Sequence, residues 1–212
     1  MGKSRYFTRV ILTSKLHPGI NGCMIETFTA FEGLRRLASG PLTEIAPAIK
    51  RAEARAAAPI SIFSDATGRT IDLDLRGSVD DVLKRLAKTI EPPATSSEPR
   101  GRGRPKLGVV AREVTLLPRH WEWLNAQPGG ASVALRKLVE SARRTNGDAD
   151  RLRAARDAAY HFMSAMAGNL ADFEEASRAL FADDRRRFTA LIAAWPADIR
   201  DHVVKLAYAD AA

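Results

Sequence analysis

Arg100-Gly101-Arg102-Gly103-Arg104-Pro105-Lys106 sets four cations on a backbone that can neither fill a core nor hold a helix. The chemistry open to such a segment is polyanion binding. A narrow A·T minor groove concentrates negative potential and draws guanidinium groups in. Gly103 has no Cβ, so the backbone can approach the groove floor, and Pro105 fixes φ and steers the chain out again. Arg100, Arg102, Arg104 and Lys106 are therefore candidate nucleic-acid contacts, with Gly103 and Pro105 shaping the backbone. A basic linker has the same composition, so the surrounding residues must decide between the two.

The run Arg102-Gly103-Arg104-Pro105 resembles an AT-hook, and the resemblance implies a preference for A·T-rich DNA. Charge supports it. The formal net charge is +8, yet residues 24–99 and 145–212 are each slightly acidic. Residues 100–144 carry ten cations against three carboxylates, and residues 1–23 carry four cations and no acid. Solubility alone does not require one basic block between near-neutral ones, whereas polyanion binding does.

The elements that would position this chemistry follow at once. Residues 109–117 are rich in β-formers and Pro118 suits the first turn of a helix over 119–127, with Trp121 and Leu124 on one side. Pro128-Gly129-Gly130 breaks that helix, and Ser132 can cap a second one with Val133, Leu135, Leu138, Val139 and Ala142 as apolar positions. A lone strand leaves its backbone groups unpaired. Antiparallel pairing with the same strand of a second copy supplies a partner and makes a ribbon that the B-DNA major groove admits. Alternation points Val110, Val114 and Leu116 into that dimer, and Ala111, Glu113 and Thr115 toward bases. Arg112 falls on the inward parity but lies near the strand's start, within reach of a phosphate. Glu113 can accept from a cytosine amino group. Backbone N–H groups at Gly130 and Ser132 would clamp a phosphate.

With Val114-Thr115-Leu116-Leu117-Pro118 and Gly130-Ala131-Ser132, residues 108–145 resemble a ribbon-helix-helix module of the Arc/MetJ kind, most of all in antitoxin-type repressors. The resemblance implies a homodimer and DNA binding. A helical hairpin that only dimerises is the alternative, because Glu113 is neither a neutral polar nor a cationic reader.

Elsewhere the sequence predicts an α+β protein. Residues 25–90 form a ββαββα unit with hairpin turns at Glu32-Gly33 and Asp65-Ala66-Thr67-Gly68, and with Ser78 and Asp81 as a capping pair. Asp72 and Asp74 share a strand face, but Ile71, Leu73 and Leu75 take the core side, so the aspartates read as solvent-facing. Residues 91–107 are a linker containing the hook, and residues 148–212 a helical bundle for assembly. Residues 1–24 lack periodicity and read as a doubtful extension, with Met24 the expected initiator.

Nothing in the spacing calls for a cofactor, a metal or an active site. The single cysteine, Cys23, makes no disulfide framework, and His17, His120, His161 and His202 are scattered without metal-ligand spacing. The expectation is a non-enzymatic, cytoplasmic, nucleoid-associated DNA-binding homodimer, paired through 109–117. A protein-interaction scaffold or antitoxin-like dimer whose basic linker binds acidic partners or RNA is the alternative. Residues 101–144 and Trp195-Pro196-Ala197-Asp198-Ile199-Arg200-Asp201-His202 also resemble a bacterial family of unknown function, over a likeness running from about residue 25 onward.

Overall fold

Ala30-Phe31 and Ile62-Phe63 are each two adjacent apolar residues in a strand, so the two side chains of each pair leave opposite faces of the sheet. All four are buried. That double burial shapes the fold. The computed structural model describes residues 26–90 and 112–208. Residues 1–24, the linker, the hook residues Arg100, Arg102, Gly103, Arg104, Pro105 and Lys106, and Val109, Val110 and Ala111 lie outside the described residues.

The chain is α+β, as the sequence predicts. Strands β1 (Phe28–Glu32), β2 (Arg35–Gly40), β3 (Ile60–Ser64) and β4 (Thr70–Ile71) make one antiparallel sheet in the order β2-β1-β3-β4. Helix α1 (Leu42–Glu53) joins the two hairpins and α2 (Val79–Ile90) follows them. Then come α3 (Pro118–Asn125), α4 (Gly130–Met166), α5 (Phe173–Phe181), α6 (Arg185–Leu191), a 3-10 turn at Ile192–Ala194, and α7 (Ala197–Tyr208).

On one face of the sheet, Phe28, Ala30 and Ile62 meet Ile45 and Ile49 of α1. Ala46 of α1 then packs with Val82 and Leu86 of α2, covered by Leu73 and Leu75. The strand expected over residues 71–75 is confined to Thr70–Ile71. The alternation survives without the ladder: Ile71, Leu73 and Leu75 are half-buried while Asp72 and Asp74 are exposed. Asp74 pairs with Arg76 at 2.9 Å and Arg85 at 3.5 Å. Ser78 and Asp81 form the capping pair, with Ser78 Oγ donating to Asp81 and accepting from the Asp81 N–H.

On the other face, Phe31 and Phe63 enter a core with Phe162 and Met163 of α4, Leu180 of α5, Phe188 of α6, Ile192, and Ile199 and Val203 of α7. Residues 25–90 and 148–212, expected as separate blocks, thus share a core. Of the described residues, 26–90 and 152–208 form one compact unit and 112–151 a second. Burying both faces of β1 and β3 needs two helical layers, and α1 with α2 supplies only one.

The second difference is α4, which runs unbroken for 37 residues. The sequence predicts separate blocks over 108–145 and 148–212, and Gly147 between them costs about 1 kcal/mol in a helix interior. That cost is small enough for a helix anchored elsewhere to absorb.

Gly68 shows how closely the first unit is fitted. It has φ +63°, and a Cβ there would stand 1.8 Å from the carbonyl oxygen of Ala158 in α4. The backbone of the 65–68 turn touches the helix directly. Gly68→Ala should therefore destabilise the protein by about 3 kcal/mol or more, from strain plus a clash with main chain. An unchanged urea-unfolding midpoint would show that this contact does not hold.

Candidate functional site

The described half of the expected ribbon, residues 112–117, contains no strand. A strand needs a ladder partner, and no other segment of residues 112–151 is β. Arg112, Glu113 and Thr115 are exposed, as a DNA-facing set would be, but so are Val114, 54% exposed, and Leu117, 49% exposed. Val114 is not enclosed in this single chain, and only Leu116 turns toward the helices.

Leu117 is the extended N-cap of α3 and Pro118 its first residue. The helix ends at Asn125, two residues before the expected end. Its buried side chain is Leu124, with Trp121 half-buried and Trp123 exposed. The turn needs Gly129 and Gly130, with φ +87° and +73°. Nothing lies within 4 Å of a Cβ built on Gly130, so backbone conformation rather than space demands glycine there. Ser132 is the third residue of α4 and exposed, rather than the residue preceding the helix. Gly130 and Ser132 do lie together at the start of α4.

Between α3 and α4 runs an apolar groove of about 260 Å³ lined by Leu116, His120, Trp123, Leu124, Leu135 and Leu138. The sequence marks Leu124, Leu135 and Leu138 as apolar helix positions, and the hairpin alone leaves the groove open.

A second cluster, which sequence reasoning missed, lies in the first unit. Asp65, in the turn after β3, is 9% exposed and accepts hydrogen bonds from Thr27 Oγ1 (2.9 Å), Thr29 Oγ1 (2.8 Å) and Lys205 Nζ of α7 (2.9 Å). Thr29 has one hydroxyl proton and gives it to Asp65, so Ser39 donates to Thr29 across 2.9 Å. Burial pushes the Asp65 carboxyl up, but the hydrogen bonds from Lys205 and Thr29 outweigh that and hold it below the usual range.

His202 of α7 lies 3.7 Å from Asp65 and is fully buried. Its ring stands between Phe31 and Phe162, at centroid distances of 5.4 and 4.6 Å, and neither ring nitrogen has a hydrogen-bond partner. Burial lowers its pKa to about 4; Asp65 opposes this, while Lys205 and Arg36 add to it. The imidazole is neutral and enclosed, so Asp65, Lys205 and Thr29 act as a bolt tying the 65–68 turn and β1 to α7. Asp198 adds a second tie, accepting from the Arg36 N–H at 2.8 Å. The signal was present as Asp65, Lys205 and His202, but no local pattern links residues so far apart.

The other histidines stay apart. His161 faces Arg69 at 2.8 Å and His120 lines the groove. Among the described residues there is no group of three or more metal-ligating side chains, and no helix is long and apolar enough to cross a membrane.

A family model described as an uncharacterized protein conserved in bacteria (DUF2239) matches residues 27–207. Comparison with curated proteins and with solved structures finds no match.

The His202 environment makes stability depend on pH. A histidine near 6.5 when unfolded and about 4 when folded binds its proton more readily in the unfolded chain. Its contribution is complete above pH 6.5 and is lost as pH falls toward 4, by up to about 3 kcal/mol. His202→Phe, placing a third ring between Phe31 and Phe162, should flatten the melting-temperature profile between pH 6.5 and 4. An equally steep profile in that variant would assign the acid sensitivity to other groups.

Proposed function

The chain belongs to that family of uncharacterised bacterial proteins, and we propose that it is a homodimeric DNA-binding protein, a transcriptional regulator or nucleoid-type binder. The observation that carries this reading is the concentration of ten cations against three carboxylates in residues 100–144, beginning with Arg102-Gly103-Arg104-Pro105. The hook holds the minor groove of A·T-rich duplex. Residues 109–117 pair with those of a second copy as a ribbon in the neighbouring major groove, where Glu113 and Thr115 face bases. Arg112 and the start of α4 at Gly130 and Ser132 contact phosphates. The exposure of Arg112, Glu113, Thr115 and Ser132 supports the assignment.

Joining two weak contacts through a connection of one or two residues raises avidity without a strong base reader. The reader face is thin, with Ala111 and Glu113, which favours broad A·T preference over a strict operator. The DNA partner places the protein in the cytoplasm, on the nucleoid. No cofactor, metal or catalytic residue enters this reading.

The second reading is a protein-interaction scaffold or antitoxin-like dimer whose basic linker binds acidic partners or RNA. It is favoured by Glu113, an exposed carboxylate on the face assigned to bases.

Gel shifts with the full chain separate the two. Wild type should bind A·T-rich duplex in preference to G·C-rich duplex, with affinity falling steeply between two salt concentrations. The double substitution Arg102→Ala/Arg104→Ala should abolish the A·T preference. Unchanged binding in that variant rejects the hook, and equal binding of both duplexes by wild type rejects the A·T assignment.

A further inference from the structure

Arg136, Lys137, Arg143 and Arg144 are exposed residues of α4, and they are four of the ten cations in residues 100–144. The hook holds four more. At about 100° per residue, the continuous helix gathers these four side chains and Glu140 into an arc about 120° wide. Leu135 and Leu138, which line the groove against α3, lie on the opposite side of the helix. The packing of the hairpin therefore leaves the basic arc uncovered.

Charged residues on a helix ordinarily form a solvated face, and on such a face the two signs intermix. Here one sign dominates. Glu140 stands three or four residues from all four cations, so it neighbours every one of them. It pairs with Arg143 at 3.6 Å, while Arg144 donates to the Glu140 carbonyl oxygen across 3.4 Å. Among the described residues, Arg136 and Lys137 form no ion pair. One carboxylate against four cations leaves the arc strongly positive. Beyond Arg144 the balance changes, because Asp148 and Asp150 enter with Arg151. At its other end the arc joins a site of the same sign. Ser132 precedes Arg136 by about one turn, at the start of α4, where free N–H groups and the helix dipole favour an anion. From Ser132 to Arg144 is about 18 Å of helix. One DNA strand offers a phosphate about every 3.4 Å of rise, so this length suits a chain of phosphates rather than one small anion.

We propose that Arg136, Lys137, Arg143 and Arg144 form a second phosphate-binding surface, which follows one backbone strand of duplex DNA onward from the contact at Gly130 and Ser132. This rests on the DNA-binding reading above and deepens it, dividing the affinity between two basic elements, the hook and the arc. Backbone contacts carry no base information. The hook is thus the element tied to A·T pairs, and the arc strengthens binding to every duplex alike.

The test measures duplex binding by the full chain, using fluorescence anisotropy at a series of salt concentrations. In Arg136→Gln/Lys137→Gln/Arg143→Gln/Arg144→Gln, each lost phosphate contact should flatten the slope of log Kd against log salt by about 0.9. The expected total is a slope smaller by about 2 to 4, with binding at least about tenfold weaker at low salt. A·T-rich and G·C-rich duplexes should lose affinity by the same factor, leaving the A·T preference intact. Glutamine is a good helix former and all four side chains are exposed, so circular dichroism should not change. Either half of the set, Arg136→Gln/Lys137→Gln or Arg143→Gln/Arg144→Gln, should give roughly half the change in slope. The control Arg51→Gln/Arg55→Gln/Lys84→Gln/Lys88→Gln removes as many exposed cations from the first unit and should leave the slope unaltered. A wild type that binds no duplex overturns this inference and the DNA-binding reading together. Wild-type binding with an unchanged slope in the quadruple arc variant overturns the arc alone, and so does an equal loss in the control. Loss of affinity for duplex RNA without loss for duplex DNA assigns the arc to RNA and overturns the proposal.

Discussion

Phe31 and Phe63 leave their strands on the side of the sheet away from α1, and the first unit depends on how that side is closed. Their rings meet edge-on at 6.0 Å, and each also meets Phe162 of α4, at 5.3 and 4.8 Å. Two buried phenylalanines represent roughly 3–6 kcal/mol of transfer free energy. A four-stranded sheet with helices on one face would expose them. The chain therefore returns after more than sixty residues to lay α4 and α7 over them. Aromatic burial sets the layer. The Asp65 bolt fixes its position, because Lys205 and the two threonines must all reach one carboxylate, and the Gly68 backbone against Ala158 leaves no slack.

The 112–151 unit is built differently. Leu124 and Ala134 are its buried hydrophobic residues among those described, while Val114, Leu117, Trp123, Leu138 and Val139 remain exposed. So little burial in a single chain does not offset the entropy of ordering two helices and their turn. The missing burial has to come from outside the hairpin, which is why this unit and not the aromatic-cored one is where a partner is expected. On the proposed homodimeric reading, oligomerisation and folding are one equilibrium for this segment.

Sequence legibility divides along the same line. Turns and caps were readable because their chemistry is local: Gly33 and Gly68 take positive φ at the two hairpin turns, and Ser78 with Asp81 caps α2. Pro118 opening α3 belongs to the same class. The shared core was not readable, because residues 28–90 and 152–208 meet only in three dimensions. A signal did exist. Ala30-Phe31 and Ile62-Phe63 break strict alternation, as strands buried on both faces do. The Asp65–His202 contact spans two ends of the chain and has no spacing to detect. The continuous α4 was not readable, because the burial that anchors its far end belongs to a core no local pattern shows.

Reading α4 as one helix also changes what the basic segment is attached to. The first unit is assembled from both ends of the chain, so residues 92–151 are an insertion within it. An insertion tied at both ends to a folded body differs from a free tail. Its hairpin is held by a covalent helix that continues into the aromatic core, with Ala158, Ala159, Phe162 and Met163 buried along the far part of α4. Whatever orders the exposed turns from Arg136 to Arg151 acts on a helix that is continuous from Gly130 to Met166. On the proposed reading, a dimer would bring two hooks and two ribbons to one duplex. Spacing along the DNA would then be set by the dimer as well as by base contacts. A protein with so sparse a reader face has reason to take part of its selectivity from that spacing.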